Sequence, residues 1–363
     1  MKKFFACLLA VLLAGCGFSA VRAAAEAPRP LSIVCSTFPS YDWVRQILGE
    51  DADGVSLTLL VDDGADLHNY QPTVADIAAI QGCDLFVYVG GESDGWAESI
   101  LAASPQTHTL ALLDWVDTRE EETVEGMEHD DHDDHDHDDH DDHDHDDHDD
   151  HDHDDHDDHD HDDHDHDDHD HDDHDDHDHD DHGHGHGQDE HVWLSLRRAE
   201  TLVGVLAREL GALRPEAALR WQKNADAYIR QLQALDEQYT AVTQRAANKT
   251  LLFADRFPFR YLAEDYGLSY YAAFSGCSAE TEASFETVLF LVSKLRELQL
   301  PAVLTIESSD GALARTVIAN AGMEVPVLEM NSCQSVTAAQ LAAGKTYLAL
   351  MEGNLAVLAQ ALE

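Results

Sequence analysis

The stretch LSIVCSTFPSYDWVRQILGEDADGVSLTLLV, residues 31–61, sets two short β-rich runs on either side of an amphipathic one. LSIVCST and VSLTLLV carry the β-branched and apolar residues of strands. Between them PSYDWVRQILG spaces its apolar side chains at helical intervals and closes on Gly49. Strand, helix, strand in that order implies a crossover, and hence parallel pairing. Further along, the alternation continues with a helix capped by Thr73, the strand DLFVYVG (84–90), the helix SDGWAESILAAS (93–104) and the strand THTLALLDW (107–115). Residues 31–118 are therefore expected to form a doubly wound α/β lobe.

The pattern then breaks. From His129 to His186 the chain contains 33 Asp, 23 His and two Gly, with no apolar residue. Such a run cannot bury surface to offset the entropy of ordering, so a disordered loop is expected over residues 119–190. Its imidazole nitrogens and carboxylate oxygens are nevertheless donors for divalent first-row metals. The run is either a metal-collecting arm or a solvated acidic spacer.

Beyond it, HVWLSLRRAETLVGVLAREL (191–210) reads as a helix returning to the first lobe, over 191–213. Residues 214–247 form one uninterrupted amphipathic pattern, about 45 Å long if helical. Residues 248–363 repeat the alternation with strands TLLFAD, LSYYAAF, AVLTIES and VPVLEM, and a final helix from about Ala342. The expected fold class is α/β: two doubly wound lobes joined by one long rigid helix. A ligand cleft would lie between them, beyond the carboxyl ends of the strands.

Charge narrows the partners. Of the formal net charge of −53, the tract's 33 Asp account for the larger part, and the remainder of the chain still carries −20. Nucleic acid needs clustered Lys and Arg, so it is excluded as a partner, whereas cations are attracted. At the N-terminus, Lys2 and Lys3 precede FFACLLAVLL and then LAGC. The apolar run is too short to span a bilayer comfortably. It is expected to be a signal peptide over residues 1–15, with Cys16 lipidated at a bacterial lipobox and residues 16–30 as a tether outside the cytoplasm. Cys35, Cys83, Cys277 and Cys333 then remain in an oxidising compartment. They are read either as buried thiols or as the bridges Cys35–Cys83 and Cys277–Cys333.

Only His68, His108 and His191 lie outside the tract. His68 sits in the polar loop DDGADLHNYQPT after the second strand, and His191 in DEHVWLSL where the tract ends. Each is either a turn or helix-start residue or a metal ligand. In the second lobe, Asp255 in LLFADRFPF ends a strand and is a candidate ligand or a helix cap. Glu307 in VLTIESSDG is a candidate ligand or an orienting carboxylate. Two imidazoles with carboxylates suit Zn2+ or Mn2+ on donor type alone.

GADLHNYQPT and EHVWLSL, separated by the His/Asp-rich insertion and followed by the long helix, YLAEDYGL and GCSAETEASFETV, resemble the cluster A-I family. These are the zinc- and manganese-specific substrate-binding proteins of bacterial ABC importers, including high-affinity zinc-binding lipoproteins. The similarity runs from about Leu31 to the C-terminus. It implies that His68 and His191 are the first two metal ligands. The family's third ligand falls at Arg256, which stays protonated and cannot ligate, so Asp255 beside it is the expected substitute. The fourth falls near Asn331 in EMNSC, through a side-chain carbonyl, with Glu329 as a competitor. The resemblance implies a monomeric, non-enzymatic receptor that takes Zn2+ (or, alternatively, Mn2+) to an ABC permease, and the His-rich tract favours zinc. A zinc hydrolase with Glu307 as general base and a surface metal-buffering or adhesion lipoprotein are the competing readings.

Overall fold

Among the described residues each half of the chain builds one four-stranded sheet, and within both sheets every strand pairing is parallel. The computed structural model describes residues 29–127, 187–278 and 282–363, apart from Asp51, Asp53, Asp63 and Ser335. The expected signal segment, Cys16 with its expected lipidation, and residues 128–186, which hold the tract, lie outside the described residues. Among the described residues no helix is long and apolar enough to cross a membrane.

The first half runs β1 (Leu31–Cys35), α1 (Phe38–Leu48), β2 (Val55–Leu59), α2 (Val74–Gly82), β3 (Leu85–Tyr88), α3 (Gly95–Ala103) and β4 (Thr109–Ala111), followed beyond the tract by α4 (Leu196–Leu213). α5 (Ala218–Arg245) leads into the second half. This comprises β5 (Thr250–Phe257), α6 (Arg260–Tyr266), β6 (Ser269–Ser275), α7 (Phe285–Glu297), β7 (Val303–Ile306), α8 (Ala312–Ala321), β8 (Val327–Met330), α9 (Ala338–Ala342) and α10 (Tyr347–Ala361). The sheet orders are β2-β1-β3-β4 and β6-β5-β7-β8, with β1 beside both β2 and β3 and β5 beside both β6 and β7. The two halves repeat one topology.

Burial on both faces explains why these strands read as nearly continuous apolar runs. On β1, Ile33 and Cys35 enter one core while Val34 packs on the opposite face with Phe86, Ile80 and Ile100. On β5, Leu251 and Phe253 face that same first core, and Leu252 and Ala254 face a separate cluster with Leu291 and Val317. The inner faces of both sheets thus share one continuous core, and each outer face has its own.

α5 is the expected rod, spanning about 42 Å at the rise of an α-helix. Its buried residues Trp221, Ala225, Tyr228, Leu232, Leu235 and Tyr239 recur every three or four positions, forming one stripe against the shared core. Full burial of each large member stabilises the packing by about 1.5–3 kcal/mol. The sequence suggested that this helix alone joins the halves. In the structure α10 is a second tie, because it follows the second sheet but returns to the first half. Tyr347 N donates to Asp42 Oδ2 at 2.7 Å, Arg45 donates to the Lys345 carbonyl at 2.8 Å, and the Tyr347 hydroxyl donates to the Trp193 carbonyl. The ring of Trp43 meets that of Tyr347 edge-on at 5.3 Å, a packing role for the tryptophan.

The expected loop over 119–190 is ordered at both described flanks. Glu120 and Gln188 form an antiparallel bridge, with Glu121 N donating to the Gly187 carbonyl and Asp189 N to that of Arg119. Met127, Asp189 and Glu190 are buried. The two expected disulfides are not formed: all four described cysteines are free thiols. Cys35 belongs to the shared core, whereas Cys83 packs against the cluster on the opposite sheet face. Cys333 is buried in the shared core against Met351, and Cys277 faces the histidines described next.

Candidate metal centre

The carboxyl edges of the two sheets present their connecting loops to a common cleft, as parallel topology dictates. His68 lies on a short 3-10 turn, Leu67–Asn69, between β2 and α2. Asp66 caps that turn, its Oδ1 accepting from His68 N at 3.0 Å. His191 precedes the turn Val192–Leu194, which leads into α4, and is 1 % exposed. The buried Trp193 fixes the turn to the second half by donating from its indole to the Ser332 carbonyl at 2.7 Å.

These elements bring His68 Nε2 to 3.2 Å from His191 Nε2, although 123 positions separate the residues. Each outer ring nitrogen has its own partner. His68 Nδ1 meets Ser93 Oγ at 2.6 Å, and His191 Nδ1 meets Asp189 Oδ1 at 3.1 Å. Asp189 Oδ1 also accepts His191 N at 2.9 Å. Orientation of imidazoles through the second nitrogen, with a carboxylate behind one of them, is the usual support of a histidine metal ligand.

The two rings differ electrostatically. Burial, then the neighbouring His191, takes the His68 pKa down to about 3, which keeps its ring neutral. For His191, burial also acts downward but is outweighed by the hydrogen bond and charge of Asp189, and its pKa is raised. The metal-free pair is therefore consistent with a proton on His191 Nε2 donated to the lone pair of His68. A cation bound there replaces that proton.

The third side chain of the cluster is Cys277. One ligand atom each from His68, His191 and Cys277 lie within 4.8 Å of one another. Cys277 follows β6, and its backbone N–H is held by Glu121 Oε1 at 2.7 Å. The preceding residue is a tightly packed glycine: a Cβ on Gly276 would lie 3.0 Å from the Phe257 carbonyl and 3.2 Å from His191 Cε1, so a neighbour would have to give way. Burial, with Glu121 and Asp189 after it, pushes the Cys277 thiol up.

The remaining sequence candidates are engaged elsewhere. Asp255 accepts from Arg256 N and, across to β7, from Ile306 N. Glu307 accepts from both the backbone N–H and the hydroxyl of Ser332. Asp255 and Glu307 line a pocket of about 480 Å3 with Arg256 and Asp310. Asn331 Oδ1 accepts Cys333 N at 2.9 Å, while its backbone pairs with Asn354. Arg256 points into the cleft, donating to Asp66 Oδ2 at 2.6 Å and to the Ser278 carbonyl at 3.4 Å.

Sequence reasoning missed Cys277, Ser93 and Asp189. Cys277 was visible as the residue just past a second-lobe strand, where side chains face the cleft, but the even cysteine count drew it into a disulfide. Asp189 was visible as the carboxylate two positions before His191.

The zinc-uptake complex component A (ZnuA) family, described as periplasmic, matches residues 33–361. The zinc-binding lipoprotein AdcA of Streptococcus pneumoniae strain TIGR4 is 29% identical over 372 residues, covering 99% of this chain and 61% of that one. This chain thus spans about three fifths of the length of that curated relative. The high-affinity zinc uptake system protein ZnuA of Bacillus subtilis is 26% identical over 358 residues, covering 98% of this chain and 95% of that one. The crystal structure of the Zn(II)-bound ZnuA-like domain of S. pneumoniae AdcA superposes with a TM-score of 0.63 at 26% identity, covering 92% of this chain and 99% of that one.

Proposed function

The chain belongs to the family of periplasmic A components of zinc-uptake complexes, and from that membership we propose that it captures Zn2+ between its lobes and delivers it to an ABC permease. The carrying observation is the 3.2 Å approach of His68 Nε2 to His191 Nε2. With Zn–N bonds of 2.0–2.1 Å, a tetrahedral ion separates two nitrogen ligands by about 3.3 Å, so the spacing of this pair already matches that of two ligands of one ion. The acidic surroundings, Asp66, Asp189, Glu190 and Glu121, favour a cation.

The shared core and the two helical ties support a receptor that exchanges its ion by small rearrangements. Lipidation of Cys16 would anchor it as a monomer to the cell membrane, facing outside the cytoplasm and within reach of the permease. The bridge between Glu120 and Gln188 clasps both ends of the His/Asp tract beside His191. Ions held weakly along the tract are thereby kept at high effective concentration next to the cleft. In the hydrolase reading, the general base Glu307 is already engaged by Ser332, which favours the receptor.

Zinc stoichiometry tests the proposal. The full chain is expected to bind one equivalent tightly and several weakly, and deletion of residues 128–186 should remove only the weak class. Loss of the tight equivalent on deletion would contradict the division of labour, and tighter binding of manganese than of zinc would favour the alternative ion.

A further inference from the structure

We propose that Cys277 is the third protein ligand of the ion, so that the cargo site is two imidazoles and one thiolate; this rests on the zinc-receptor reading above. Three observations carry it. The sulfur shares a cluster no wider than 4.8 Å with one nitrogen of each histidine. The thiol is free, not part of a disulfide. The turn that bears it is built against the site: Glu121 anchors its backbone N–H, Arg256 reaches the Ser278 carbonyl, and Gly276 leaves room for the His191 ring.

The alternatives are spent. Arg256 is paired with Asp66 and carries no lone pair to give. Asp255, Glu307 and Asn331 each satisfy backbone donors at other places along the carboxyl edge. Among the described residues, Cys277 is the side chain of the second half that clusters with the two histidines.

The ligand set defines the cargo class. A tetrahedral ion with two nitrogens about 2.05 Å away and a sulfur about 2.3 Å away has nitrogen–sulfur edges near 3.6 Å. The sulfur therefore has to close a gap of at most about 1.2 Å toward either nitrogen, in a half-buried side chain. On binding, the S–H bond breaks heterolytically, the sulfur's electron pair forms the metal–sulfur bond, and the proton leaves to solvent. Thiolate and imidazole suit Zn2+, whereas Mn2+ prefers carboxylate and water oxygens. Three protein ligands leave a fourth position open, through which an ion can be passed on.

The test is the absorption spectrum of the full chain loaded with one equivalent of Co2+ in place of zinc, compared with the Cys277→Ser variant. The expected result is a sulfur-to-cobalt charge-transfer band in the near ultraviolet with the visible bands of a tetrahedral ion. Cys277→Ser should lose the charge-transfer band and keep weaker visible bands from the imidazole-bound ion. Its zinc affinity should fall by at least the roughly 10–100-fold that loss of an outer-shell partner costs, with manganese binding unmoved. Cobalt bound by the unaltered chain without charge transfer, or a band that survives in Cys277→Ser, overturns the thiolate and leaves the receptor standing. Absence of tight binding of either zinc or cobalt overturns both.

Discussion

Arg256 Nη2 donates to Asp66 Oδ2 at 2.6 Å across the cleft, while the other oxygen of Asp66 holds the backbone N–H of His68. A residue that cannot bind a metal thus fastens the loop that carries His68, a proposed metal ligand. For Asp66, burial acts to raise the pKa, but the charge and hydrogen bond of Arg256 and the His68 N–H together outweigh it, and the carboxyl is held below its ordinary value. A depressed carboxylate stabilises the fold above its unfolded pKa and loses that contribution as pH falls through the folded value. Arg256→Gln should therefore cost the metal-free protein about 1–2 kcal/mol at pH 7. The deficit relative to the parent should begin to shrink below about pH 4, where the carboxyl of the unfolded chain takes up its proton, and fade as pH falls through the lower folded value. Denaturant melts at the two pH values check this, and a deficit independent of pH would count against the pair.

Asp189 Oδ1 accepts both the ring and the backbone N–H of His191. Asp189→Asn keeps an acceptor at that place but removes the negative charge behind the imidazole. Zinc affinity should drop by roughly 10–100-fold, read by competition with a chromophoric chelator. Unchanged affinity would mean that the carboxylate does not support a ligand.

Gly276 lies where a Cβ would press on the Phe257 carbonyl, Pro258 Cα and His191 Cε1, all within 3.0–3.2 Å. Gly276→Ala should push either the turn or the ring, at a cost typical of overpacking, about 1–3 kcal/mol. That strain should appear mainly as weaker zinc binding, because the ring is the more easily displaced of these neighbours. A calorimetric titration that finds parent-like affinity would show that the turn and ring do not need their present spacing.

The fold was largely legible because parallel strands buried on both faces leave a dense apolar signature, and helices such as α5 repeat theirs without a break. The ordered flanks of the tract were not legible: Glu120 and Gln188 pair through backbone groups, to which composition is blind. The role of α10 escaped for a related reason, since Tyr347 meets Asp42 across 305 positions and no local pattern encodes so distant a hydrogen bond. At the site, His68 and His191 stood out because histidine is scarce outside the tract. Asp255 and Glu307 were chosen by their place at strand ends and Asn331 by the family's fourth position, and such placement points to the carboxyl edge of the sheet. It does not say which side chains are consumed by backbone donors there. Cys277 was hidden because a cysteine's role as bridge or ligand depends on what faces it in space.

The most direct measurement is zinc retained against a strong chelator by the chain lacking residues 128–186, with and without His68→Ala and His191→Ala. One ion shared by the two imidazoles predicts one tightly held equivalent in the parent and none in either single variant. A tight equivalent that survives the double substitution would contradict it.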